Sequence, residues 1–195
     1  NVGDAADLTY KRSRRGGRSD AAAVSTLGEL GLAHRVLPFS PWGYDERQFC
    51  SPGFDLPVGR LTRSIEGGYP EYHTSADDMS LLDGGRLGES LRALVAIVHT
   101  MDRDRILRNS EPFGEPQLGR RGLHRPGGLP GQPSEEHLAI LWALSLCDGS
   151  RSLVDVASES GLGFRAIEAA ASRLQAAGLL EDVDGSAGPR LEGGR

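Results

Sequence analysis

The sequence predicts an α/β domain followed by a small winged-helix domain. Three observations carry that prediction. Residues 7–65 give strand, helix, strand, loop and strand signals in order, the pattern of an α/β sandwich with a mainly parallel sheet. Residues 106–133 are so rich in Gly and Pro that they cannot hold a long helix and read as a connection. Residues 134–183 give three short helices and a terminal strand, the winged-helix plan. The expected boundaries are therefore 1–108, a connection over 109–133, a winged helix over 134–184 and a disordered tail over 185–195.

The elements follow from local chemistry. Asp7 to Lys11 is a short strand with Leu8 and Tyr10 on one face. Ser19 or Asp20 can cap a helix that runs to Leu30, and Gly31 stands where a helix ends. His34 to Phe39 and Leu56 to Ile65 are the next strands, the second interrupted by Gly59. A long helix is expected from Asp77 or Ser80 to Asp104, with Gly84-Gly85 as a weak point near its start. Its Leu87, Leu91, Leu94, Val95, Val98 and Met101 recur at three- and four-residue spacing, which predicts one buried stripe. In the C-terminal part, helices are expected over Ser134 to Cys147, from Ser152 to Gly161, and over Phe164 to Ala177. Ser152 and Asp155 have the spacing of a capping box, and LLEDV after Gly178 reads as a strand.

The totals exclude several classes. The chain has 195 residues, 25% of them charged, with a net charge of −5, so no global basic field invites nucleic acid or anionic lipid. From Pro133 onward five Arg and no Lys stand against ten acidic residues, which disfavours DNA reading by the winged helix. A packing role, a homo-oligomer contact or a protein partner is expected there instead. The run KRSRRGGR near the start gathers Lys11, Arg12, Arg14, Arg15 and Arg18. It reads either as a solvated loop or as a patch for an anionic group. Cys50 and Cys147 lie far apart and form neither a disulfide framework nor a metal knuckle, so a reducing cytoplasm is expected. No apolar run is long enough for a membrane span. The chain opens at Asn1 in what reads as mid-domain, and a fragment of a longer polypeptide is expected.

Chemistry concentrates between Phe39 and Leu82. Asp45 and His73 fall just beyond expected strands, where α/β sheets carry their working residues. A histidine such as His73, in a loop within PEYHTSADD, can present an imidazole to a metal, with Asp77 orienting it. The competing reading is that Asp77 caps the next helix and His73 is a surface residue. Trp42, Tyr44, Phe49 and Tyr72 flank these positions, either lining a pocket for an apolar or aromatic group or packing the loop.

GYDERQFCSPG over 43–53, then LPVGRLTR and YPEYHTSADD, resemble a bacterial family of aminopeptidase-like proteins. Members of that family carry a domain of unknown function and a C-terminal winged helix, and accompany polysaccharide-biosynthesis genes. YKRSRRG and GEPQLGRRGL match the same family, so the resemblance covers nearly the whole chain. That family is similar in turn to zinc aminopeptidases and glutaminyl cyclases of the phosphorylase/hydrolase-like three-layer fold, of which this chain would be a C-terminal part. The resemblance implies a zinc cofactor, with His73 as a metal ligand: Tyr72, His73, Thr74 and Asp77 match a Tyr/Trp-His-Thr-x-x-Asp motif. Asp45 matches the acid of a Ser-Asp-His or Asp-Asp-His turn and is implied as the catalytic-site carboxylate, while Tyr44 and Glu46 replace its neighbours. Tyr44, Glu46, Arg47, Tyr72, Thr74 and Asp77 are then expected to face substrate or to support the ligand.

The remaining zinc ligands and the general base of such enzymes come from earlier strands that have no counterpart here. The expected function is thus that of a fragment of a zinc aminopeptidase-like hydrolase acting on a peptide or small amide. Alone, the fragment should be inactive and bind zinc weakly. The competing readings are a non-catalytic interaction protein with a relic site and, less favoured, a DNA-binding regulator.

Overall fold

The computed structural model describes residues 2–65, 68–123 and 133–183. His124 and the tail over 185–195 lie outside the described residues, as does Gly67 of the Gly67-Gly68 pair. The chain divides into two compact units, Asn1–Met101 and Asp102–Arg195. The α/β class and the C-terminal winged helix are those the sequence predicts.

The first unit is built on β1 (Leu8–Lys11), α1 (Arg18–Glu29) and β2 (His34–Leu37). β1 and β2 pair in parallel, with Leu8 opposite His34 and Lys11 opposite Leu37, so α1 is a crossover helix. The chain then passes through a one-turn helix, α2 (Glu46–Phe49), to β3 (Arg60–Thr62). β3 pairs with the other edge of β1 and runs antiparallel to it, Thr9 facing Thr62 and Lys11 facing Arg60. The described sheet is therefore mixed, where the sequence predicts a mainly parallel one. β3 returns through a loop rather than a crossover helix, and a loop leaves its direction free. β3 is also shorter than expected, because the chain before Gly59 is turned by bonds from Leu56 N to Phe49 O and from Val58 N to Leu56 O.

The cap of α1 differs from the expected one. Gly17 occupies the N-cap without a side-chain bond. The Ser19 hydroxyl donates to Pro57 O at 2.7 Å, and Asp20 is turned inward. Its carboxylate accepts from the Tyr10 hydroxyl at 2.7 Å and from the Ser13 hydroxyl at 2.6 Å. Burial, and then this bond to Asp20, push the Tyr10 phenol far above the ordinary tyrosine range. Leu8, Tyr10, Ala23, Leu27, Ala93 and Ile97 form the core of the unit.

The long helix, α3 (Gly84–Arg103), starts later than expected. A 3-10 turn over Met79–Leu81 precedes it, capped by Asp78, which accepts from Ser80 N at 2.8 Å. Asp83 then accepts from Arg86 N at 2.9 Å and opens the helix proper. The expected buried stripe is a correction. Ser90, Ala93, Ile97 and Thr100 are the buried residues of α3. Leu87, Leu91, Leu94, Val95, Val98 and Met101 are all exposed. Periodicity identifies an apolar face but not its cover. The small residues of α3 allow close approach to α1, where the Thr26 and Thr100 hydroxyls meet at 2.8 Å.

The second unit contains β4 (Ile106–Asn109), α4 (Glu135–Leu146), β5 (Asp148–Ser152), α5 (Leu153–Ser160), α6 (Phe164–Ala176) and β6 (Leu180–Asp182). β4 is the central strand, antiparallel to both β5 and β6. It lies at the start of the stretch that reads as a connection in the sequence. The capping box forms as expected: Asp155 N donates to Ser152 Oγ, and Ser152 N to Asp155 Oδ2 at 2.9 Å. Gly161 ends α5 with φ 70, a left-handed conformation that favours Gly. Ile140, Leu153, Val156, Ile167, Leu174 and Leu179 close an aliphatic core. Each is fully buried, a burial that contributes about 1.5–3 kcal/mol per side chain.

Candidate functional site

The candidate site grows from an electrostatic problem at the end of β1. Register places Lys11 directly opposite Arg60, two like charges that repel across a strand pair. Glu46, at the start of α2, resolves the conflict. Its Oε1 lies 2.7 Å from Lys11 Nζ and 3.3 Å from Arg60 Nη1. Lys11 and Glu46 are nearly fully buried, so the pair is held in a low-dielectric setting where removing either partner is costly.

The same cluster fixes the turn before α2. Lys11 Nζ donates to Trp42 O at 2.5 Å, and Tyr44 N donates to Glu46 Oε2 at 3.0 Å. Gly43 sits between them with φ 155. A Cβ there would stand 2.1 Å from Glu46 Oε1 and 2.8 Å from Lys11 Nζ, so any other residue would displace the buried ion pair and strain the backbone. The sequence reading sets Glu46 among the groups that face substrate or support the ligand; the structure buries its carboxylate between two cations. The basic run is also partly consumed internally, because Arg14 and Arg15 converge on Asp55, which has φ 50.

This anchoring sets Tyr44 at the surface, where it meets the second motif. The Tyr44 and Tyr72 hydroxyls are 2.7 Å apart. The Arg60 guanidinium lies over the Tyr44 ring at 5.1 Å. The Tyr72 ring stacks on His73 at 4.0 Å with the planes 14° apart, and Tyr69 packs edge-on to Tyr72 at 5.6 Å. His73 has φ 62, left-handed backbone that side-chain-bearing residues seldom adopt. The loop that imposes it is shaped by its own polar groups. The Thr74 hydroxyl donates to Glu71 O at 2.7 Å and accepts from Ala76 N at 3.2 Å. Asp77 accepts from the Tyr69 hydroxyl at 2.9 Å, and Asp78, not Asp77, caps the following turn.

The structure thus brings together Tyr44, Tyr72 and His73 from two separated motifs. Asp45 and Arg47 are exposed. The Asp45 backbone carbonyl accepts from Gln48 N and Phe49 N, while its side chain makes no capping bond to α2. Trp42 and Phe49 are exposed beside them. Sequence reasoning sets Lys11 in a basic run and gives no role to Arg60 or Tyr69. Tyr69 lay within the same short motif, but nothing in the spacing of Lys11, Glu46 and Arg60 announces that they meet.

Whether these residues fit a zinc ion can be judged from their donors. A zinc site takes three or four protein ligands at close range. Among the described residues no three His, Cys, Asp or Glu side chains gather to hold a metal. His73 offers one exposed donor, and the described residues do not by themselves make a zinc centre. What they do make is a surface of stacked rings, phenol hydroxyls and one imidazole.

In the second unit, α6 carries Arg165 and Arg173 on the helix that would read DNA. Arg173 is paired with Glu136, and Glu168 lies 3.6 Å from Arg103. No described helix is long and apolar enough to cross a membrane.

Residues 1–104 match the profile of a family described as a domain of unknown function (DUF4910), and residues 105–182 match a winged helix-turn-helix family. A Clostridium acetobutylicum protein named "Putative polysaccharide biosynthesis protein with aminopeptidase-like domain" is 41% identical over 184 residues, covering 93% of this chain and 42% of its own length. A crystal structure described as a "putative peptidase" from Clostridium acetobutylicum is similar with a TM-score of 0.82 at 38% identity, covering 93% of this chain and 40% of that one. The chain spans about two fifths of the length of these relatives.

Proposed function

We propose, from the premise that the chain belongs to the DUF4910 family and continues into a winged helix-turn-helix domain, that it supplies one wall of the active site of an aminopeptidase-like hydrolase. The relatives' names support a peptidase-like role. The finer reading is a zinc enzyme that cleaves the amide at the amino terminus of a peptide or of a small amide, in a setting tied to polysaccharide biosynthesis. In it His73 is one metal donor, and the other donors and the proton-accepting carboxylate lie outside these 195 residues. Asp45, an exposed acid of the first motif, faces substrate in this reading.

One observation carries the proposal. His73 is held in left-handed backbone and stacked on Tyr72, whose hydroxyl is bonded to Tyr44 of the other motif. Such backbone costs about 1–3 kcal/mol and persists where the surroundings over-determine it, which happens most at functional sites. The Tyr44 and Tyr72 hydroxyls would exchange their mutual bond for bonds to an arriving amide, and Arg60 would keep the Tyr44 ring in place.

The alternative, a non-catalytic interaction protein with a relic site, draws on the missing donor set. Both readings predict weak zinc binding by this chain alone, and the activity of the longer relative separates them. Calorimetric titration of this chain should give no tight stoichiometric zinc uptake. Replacing the residue aligned with His73 by Gly in the full-length Clostridium acetobutylicum relative should lower hydrolysis of an aminoacyl anilide on the order of 100-fold or more, with circular dichroism unchanged. Unchanged hydrolysis in that variant would remove His73 from the active site, and no hydrolysis by the parent would favour the relic.

A further inference from the structure

The apolar face of α3 is the largest feature that the site does not use. At 3.6 residues per turn, the residues of α3 fall into three faces about 120° apart. Ser90, Ala93, Ile97 and Thr100 form the buried face. Arg92, His99 and Arg103 mark a polar face. The third face carries Leu87, Leu91, Leu94, Val95, Val98 and Met101, with Leu91 61% and Val98 56% exposed. Apart from Ile97, the helix buries small side chains and leaves its large apolar ones outside, the reverse of what a helix on a finished core does. Contiguous exposed apolar stripes of this kind mark surfaces that associate.

We propose that this stripe is the seat of family polypeptide lying outside these 195 residues, the further part of the longer relatives, which brings a complementary apolar face. Two observations choose this occupant over a second copy of the chain. More than half of each relative lies beyond the matched stretch, so a large body of polypeptide must find packing surface. The first described residues also run beside the stripe. Asp83 N donates to Gly3 O at 2.8 Å, and the Ser90 hydroxyl donates to Val2 O at 2.7 Å. A Cβ on Gly3 would stand 2.9 Å from Leu82 Cδ2 and 3.9 Å from Leu87 Cδ1. The Val2–Gly3 backbone therefore lies at the Leu87 end of the stripe, against which family polypeptide would pack. The proposal concerns packing and is independent of whether the site is catalytic.

Thiol labelling tests it. Cys50 and Cys147 are buried, so an introduced surface thiol reacts first in this chain. Leu91→Cys is made in this chain and at the aligned position of the full-length relative, with Arg92→Cys as a control on the polar face. Maleimide uptake is read peptide by peptide by mass spectrometry. The position-91 thiol should label rapidly in this chain and on the order of 100-fold more slowly in the longer protein, while the control labels rapidly in both. Equal rates at position 91 in the two proteins would overturn the proposal. Protection in this chain that grows with its concentration would also overturn it, by assigning the stripe to a second copy. Should a variant fail to fold, hydroxyl-radical footprinting of the α3 peptide in both unsubstituted proteins reads the same difference.

Discussion

The two units bury their interiors with different chemistry. The winged-helix unit closes on aliphatic side chains, and α4 and α5 are capped by serines that accept from backbone three positions on. The first unit places charges inside: Lys11 with Glu46, Asp20 with Tyr10, and Arg63, which reaches Ser90, Ala6 O, Arg86 O and Glu89. At the same time it leaves the leucines of α3 outside. One unit has completed its own hydrophobic bargain. The other has spent its polar groups on fixing loops and keeps its best apolar surface for something else.

The widest break in that comparison should come from Glu46→Ala. It leaves Lys11 buried opposite Arg60 with no counter-charge, at a cost of about 3–5 kcal/mol. Denaturant unfolding should weaken by that amount, with amide exchange accelerated in β1 and α2 and unchanged in α4 to α6. Next in size, Ile167→Ala opens a cavity in the aliphatic core and should cost about 2–5 kcal/mol, with the exchange pattern reversed between the units. The smallest effect sharpens the contrast most. Leu91→Gln should change the stability of this chain by less than about 0.5 kcal/mol, because the side chain is already in water. A loss comparable to that of Ile167→Ala would mean that the stripe is covered after all.

The same contrast explains what could be read from the sequence. In the winged helix, signals are local: Ser152 and Asp155 cap α5, Gly161 and Gly178 end helices, and each acts through neighbours a few residues away. Those elements were legible. β5, with the sequence DGSRS, has no alternating pattern and is a strand only because β4 pairs with it. In the first unit the decisive contacts are long-range. Glu46 is conspicuous as a substitution in a motif, yet its task is set by Lys11, 35 residues away, and by the strand register that places Arg60 opposite Lys11. The periodicity of α3 was correctly seen and its burial wrongly inferred, because a pattern within one helix cannot report what stands against it. His73 was legible as chemistry, but its left-handed backbone and its link through Tyr72 to Tyr44 were not.

Trp42 contributes only its carbonyl to the charge cluster, and the residue is 75% exposed. Backbone and side chain at this position are therefore uncoupled: the first is a fastening, the second is free. The loop thus carries an intrinsic fluorophore two residues from Tyr44, and its emission can report an arriving molecule without disturbing the strand end to which the loop is tied.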